Sequence, residues 1–267
     1  VLNARQLAQQ GQSAMNRGEL VEAEKLLGEA TQQCPTDADC RRMFGEALWQ
    51  QGKPREALAQ VEEALRVSPD DANLRVRAGE MRLAMGHVDA AAADAATALT
   101  HDSRNPGAWS LQGRVRLQRG DLPGALADLH RSLSIDSEQP QVMREIAEIH
   151  LGMGDPSRAL AALQAACDAT PGESASPQTL YQLGRTYLAL ARPRDALGAL
   201  SSAREAGLAT PDLMCAIAEA QEQVGNPSAA LVAADEAMRL DPSRTATRQV
   251  WERLKTAQRP TGLVSPR

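Results

Sequence analysis

Aromatic residues are scarce in this 267-residue chain, which has three Trp, two Tyr and one Phe. With so little bulky side-chain volume, its core must be mostly Leu and Ala. Cysteine is also sparse: four residues cannot build a disulfide fold in a chain this long. No apolar run approaches the ~20 residues that a helix needs to cross a bilayer, so no membrane span is expected. Neither acidic nor basic residues are in strong excess. The 29 Lys and Arg and the 34 Asp and Glu leave a net charge of −5, spread evenly along the chain. That gives no basic footprint, and nucleic acid is not an expected partner.

The usual marks of catalysis are equally thin. His87, His101, His130 and His150 have no His-Glu-x-x-His pattern and no metal-ligand spacing. Gly152-Met153-Gly154 lacks the third glycine of a dinucleotide fingerprint, and Gly52-Lys53 is followed by Pro54 where a phosphate loop has Ser or Thr. No catalytic residue, cofactor or metal is therefore expected. Val1 is not an initiator methionine, which implies a segment upstream. A signal or lipid anchor there would send the protein to the cell envelope, and its absence would leave it in the cytoplasm.

What is present is a period of 34 residues, with repeats beginning at 4, 38, 72, 106, 140, 177 and 211. The eighth position is small in every repeat: Gly11, Gly45, Gly79, Gly113, Ala147, Gly184 and Ala218. The fifteenth is Gly18, Gly52, Gly86, Gly120, Gly154, Ala191 and Gly225. The twentieth is always Ala, from Ala23 to Ala230, and position 27 is Ala except at Ser132. Each repeat reads as two helices. The first ends at the position-15 glycine, which suits a left-handed cap. Pro54, Pro156, Pro193 and Pro227 then suit the opening turn of a second helix. Small residues at positions 8, 20 and 27 let the helices approach. Pro35, Pro69, Pro171 and Pro242 stop the second helix.

This register resembles the tetratricopeptide repeat (TPR) pattern from residue 4 to 244, most fully at Leu180, Leu183, Gly184, Tyr187, Ala196, Leu200 and Ala203. Trp109 and Gly113 keep the aromatic signature of a first helix, whereas Arg82, Arg116 and His150 depart from it at the usual Tyr position. The resemblance implies an all-α, right-handed α-solenoid of about seven helix pairs with a C-terminal capping helix. Residues 1–3 form a lead, 4–173 the first five repeats, 174–176 an inserted loop and 177–244 the last two. Residues 245–258 form the capping helix, polar at Glu252 with Trp251 turned inward, and 259–267 a disordered tail.

The resemblance also implies a concave face made by the first helices, open to an extended peptide or a partner helix. Arg42, Glu46, Arg77, Glu80, Arg114, Arg144, Glu148, Tyr181 and Arg185 stand at positions 5, 6 and 9 of those helices. Trp49 stands on an apolar ledge at position 12, which alternatively replaces position 11 in the core. The charges alternatively form intramolecular pairs worth little each. A carboxylate clamp of the family kind is not expected, because of Ala8, Gln12, Met43, Asn73 and Arg77 at the matching places only Arg77 fits. The expected function is a non-catalytic scaffold for a protein or peptide partner. The alternatives are self-association into a structural assembly, or the regulatory part of a longer enzyme. Cys34 and Cys40 flank the first repeat junction, and whether they form a disulfide is left open by spacing alone.

Overall fold

A computed structural model describes residues 2–169 and 175–257. Ser174 of the inserted loop and the tail 259–267 lie outside the described residues. Among those described, the chain has fifteen α-helices and no strand. It divides into two compact stacks, Val1–Ser137 and Glu138–Arg267. The N-terminal stack holds four hairpins: α1 (Leu2–Asn16) with α2 (Leu20–Gln33), α3 (Ala38–Gln50) with α4 (Pro54–Val67), α5 (Ala72–Ala84) with α6 (Val88–His101), and α7 (Pro106–Gln118) with α8 (Leu122–Ile135). The C-terminal stack holds three hairpins and a last helix: α9 (Pro140–Gly152) with α10 (Pro156–Asp168), α11 (Pro177–Ala189) with α12 (Pro193–Glu205), α13 (Pro211–Val224) with α14 (Pro227–Leu240), then α15 (Thr245–Ala257). Helix α1 already begins at Leu2, within the segment the repeat register leaves as a lead.

Turn chemistry sets the hairpins. At position 15 the glycines from Gly18 to Gly225 have φ between +75° and +88°, and Ala191 has φ +54°. The following N–H then reaches back to the position-11 carbonyl, as in Lys53 N to Leu48 O at 3.0 Å and His87 N to Arg82 O at 2.8 Å. This satisfies carbonyls that the helix end leaves over. Five of the first helices start on a side-chain cap at the preceding residue. Asp37, Asp71, Asn105, Ser176 and Thr210 each accept a backbone N–H of the first turn, a device worth about 1 kcal/mol each.

The small residues are the contact surface. Every position-20 alanine is fully buried, and so is every position-27 residue except Ala166, which is 3% exposed. At position 8 there is no room for more: a Cβ on Gly184 would lie 2.4 Å from Leu200 Cγ, and one on Gly45 would lie 3.0 Å from the Ala57 carbonyl oxygen. Leu27, Val61, Leu129, Leu163 and Leu200, fully buried, fill the space between paired helices.

Three expectations are corrected or completed here. On α15 the fully buried residues are Thr247 and Leu254, 1% and 2% exposed, and Trp251 packs against the same core only in part. Trp251 lies half-buried at the edge, where its indole N–H donates to Asp235 Oδ1 at 2.6 Å and Lys255 Nζ sits 4.1 Å from the ring. Position 12 does not replace position 11 as a whole, since Leu83 is buried while Trp49, Leu117, Leu151 and Leu188 are half-buried. All four cysteines are free. Burial, with Asp37 beside it, pushes the Cys40 thiol up to about 11.

Position 11 keeps its core role with different chemistry. Arg82 donates to Asp94, and its other nitrogen lies 2.7 Å from Glu62 Oε1. Arg116 Nη1 lies 3.0 Å from Asp128 Oδ2 while donating to the Gly124 carbonyl at 3.3 Å. Asp94 and Asp128 are each 4% exposed and stand at the same position of their repeats, on α6 and α8. In both hairpins a long arginine stem fills the volume and its guanidinium meets a carboxylate from the second helix.

Candidate partner groove

Within each stack the residues expected to recognise a partner sit on the first helices. In the N-terminal stack these are α3, α5 and α7, and their charges are joined in a ladder. Arg77 on α5 grips Glu46 on α3 with two bonds of 2.5 and 2.6 Å and reaches Glu80 at 3.2 Å. Glu80 in turn accepts from Arg114 on α7 at 2.9 Å. The Arg77 guanidinium also lies over the Trp49 ring, 5.6 Å from its centroid. Burial works to lower the pKa of Arg77, but Glu46 and Glu80 outweigh it and hold the value above normal. Arg42, at the start of the row, lies 3.6 Å from Asp39. Five of the expected residues, Glu46, Trp49, Arg77, Glu80 and Arg114, therefore form one connected strip that closes on itself. Between α1 and α3 a smaller cavity of about 430 Å³ opens above Ala8, Cys40 and Met43, rimmed by Arg5 and Asp39.

The C-terminal stack is arranged differently. Arg144 on α9 donates to Gln141 at 3.0 Å and to the Ser176 hydroxyl at 3.3 Å, and Glu148 accepts from Gln182 on α11. Further along, α11, α13 and α15 enclose a cavity of about 680 Å³. Tyr181, Arg185 and Leu188 line it from α11, Asp212, Cys215, Ala216 and Glu219 from α13, and Ala246 and Val250 from α15, with Arg244 just ahead of that helix. Arg185 stacks on Tyr181 with its guanidinium 5.9 Å from the ring centroid. Asp212 and Arg244 bridge the cavity edge at 2.7 Å. Burial raises the pKa of Tyr181, against the opposing pull of Arg185, and burial likewise raises that of Cys215. Tyr181 and Arg185 are thus brought together, whereas Arg144 and Glu148 bond to neighbours of their own outside this cavity's lining. Sequence reasoning missed Asp212, Glu219 and Arg244. The first two stand at repeat positions 2 and 9, where the family register pointed.

No group of three or more His, Cys, Asp or Glu able to hold a metal is found among the described residues. Among the described residues no helix is long and apolar enough to cross a membrane.

Profiles of the tetratricopeptide repeat match residues 14–75, 48–115 and 116–176, and a second such profile matches 181–245. Sequence comparison with curated proteins finds no match. Among solved structures, a chain of the APC/C hetero-tetramer Cut9–Hcn1 superposes with a TM-score of 0.81 at 17% identity, covering 91% of this chain and 48% of that one. This chain therefore spans about half the length of that relative. A tetratricopeptide repeat protein from Parabacteroides merdae ATCC 43184 gives 0.65 at 15% identity, with 96% and 100% covered. PilW, a widely conserved type IV pilus biogenesis factor, gives 0.66 at 17% identity, with 79% and 96% covered. At these identities the likeness is one of fold.

Proposed function

Because the chain belongs to the tetratricopeptide repeat family, whose members generally mediate protein–protein interaction, we propose that it is a non-catalytic scaffold. It holds a segment of a partner protein against the first helices. The cavity between α11, α13 and α15 carries this reading, because it gathers aromatic, apolar and charged side chains along two successive first helices and the last helix. Two of its walls, α11 and α13, are held by the buried alanines of the helices packed against them, so the protein itself has little ordering cost to meet on binding. The paired strip Glu46–Arg77–Glu80–Arg114 serves the scaffold more than the partner, since its charges already have mates.

Site-specific photo-crosslinking tests the proposal. A photoreactive residue replacing the exposed cavity residue Ala189 is expected to give a discrete protein adduct in cells, identified by mass spectrometry. The same residue replacing the exposed Ser201 on α12 is expected to give none. Equal adducts from both sites, or none from either, would overturn the assignment.

A further inference from the structure

The two grooves contain the same kind of charge pair in the same repeat register, yet only one pair is closed. In the N-terminal stack, Glu80 and Arg114 occupy position 9 of successive repeats and bond at 2.9 Å. In the C-terminal stack, Arg185 and Glu219 occupy position 9 of successive repeats and line the same cavity. Neither has an oppositely charged group within 4 Å among the described residues, because Arg185 turns back onto Tyr181. The other two charges of the cavity, Asp212 and Arg244, neutralise each other at 2.7 Å. One cation and one anion are therefore left facing the same cavity, above the apolar floor of Leu188, Ala216 and Val250.

We propose that this cavity selects an extended peptide segment carrying one acidic and one basic side chain, the acid meeting Arg185 and the base meeting Glu219, with a small apolar residue between them. The inference rests on the scaffold reading above and adds the chemistry of the ligand to it. Packed helices stand about 8–10 Å apart, and an extended chain advances about 3.3 Å per residue. An acid and a base two to four residues apart therefore span the step from α11 to α13. Balanced charge in the cavity disfavours strongly acidic and strongly basic ligands, each of which would press a like charge against one of the two unpaired groups. Half-burial of Glu219 gives its contact more weight than a fully exposed pair would have.

The test uses the full chain and an array of fluorescent, end-capped nonapeptides. Each carries Asp and Lys two to four residues apart in either order, and Asp/Asp, Lys/Lys and uncharged versions serve as controls. Mixed-charge peptides are expected to bind about fivefold more tightly than like-charged ones, with one order preferred. The charge-swapped double variant Arg185→Glu with Glu219→Arg, shown by circular dichroism to keep its helicity, is expected to prefer the opposite order. Equal binding of like-charged and mixed peptides, an unchanged order in the swapped variant, or no binding by any peptide would each overturn the inference. The scaffold reading is judged separately, by the photo-crosslink at position 189, which leaves Arg185 and Glu219 in place and depends on no particular ligand charge.

Discussion

Residue by residue, the least readable feature of the sequence was position 11. An arginine where the family has tyrosine reads as a polar gap in the core. It is half of a pair whose other half stands twelve residues later on the second helix, at Asp94 or Asp128. The signal was available as a covariation inside one chain, since Arg at position 11 and Asp at position 23 occur together in the third and fourth repeats and nowhere else. Removing one partner leaves a buried charge uncompensated, which costs far more than the pair contributes. Arg116→Met is therefore expected to destabilise the protein by about 3 kcal/mol. Arg116→Tyr combined with Asp128→Ala, which restores the family aromatic, is expected to stay within about 1 kcal/mol of the parent. Urea denaturation of the three proteins decides this, and equal losses in both variants would refute it. Burial raises the pKa of Asp128 above the ordinary 3.8, with Arg116 pulling the other way. Such a group contributes stability in full below 3.8 and loses it as pH rises through the raised value. Asp128→Asn should accordingly be less costly at pH 7 than at pH 4, and a cost that grows with pH would contradict the burial argument.

At the scale of the helix, the corner between paired helices decides how well each hairpin is made. Six repeats turn on a glycine in the left-handed region, and the sixth repeat turns on Ala191 at φ +54°. A Cβ in that region costs about 1–2 kcal/mol, partly offset by the greater freedom of glycine in the unfolded chain. Ala191→Gly is expected to stabilise the protein by about 1 kcal/mol, read as a rise in the urea midpoint at unchanged slope. A fall would mean that the alanine methyl makes a contact worth more than the strain. Hairpin boundaries were legible because glycine, proline and alanine carry geometry directly. Glycine takes the left-handed corner, proline opens helices such as α4 and α13, and alanine marks where backbones meet. The N-caps at Asp37, Asp71, Asn105, Ser176 and Thr210 were equally present in the sequence. Four of them stand at position 34, the end of the repeat before the helix they cap, and Ser176 stands in the insert, so the period separates each cap from its helix.

Across the whole molecule, the register tells which residues share the first helices, while their partners in space are not legible from it. Arg77 and Arg185 are both arginines of first helices, yet Arg77 is bound to Glu46 and Glu80 while Arg185 stacks on Tyr181. That difference depends on the distance between side chains of neighbouring repeats, a quantity the period does not encode. The same locality governs stability. In a stacked array each hairpin leans only on its neighbours, so damage at an end should spread inward by steps. Leu254 is the buried anchor of α15, packed in one core cluster with Leu213, Ile217 and Ala234. Leu254→Ala removes that anchor and is expected to cost about 3 kcal/mol. Within the C-terminal stack, hydrogen exchange should then lose protection first in α13, α14 and α15, with α9 and α10 least affected. Protection lost equally from α9 to α15 would mean that this stack unfolds as a single cooperative block, and that the nearest-neighbour description does not apply to it.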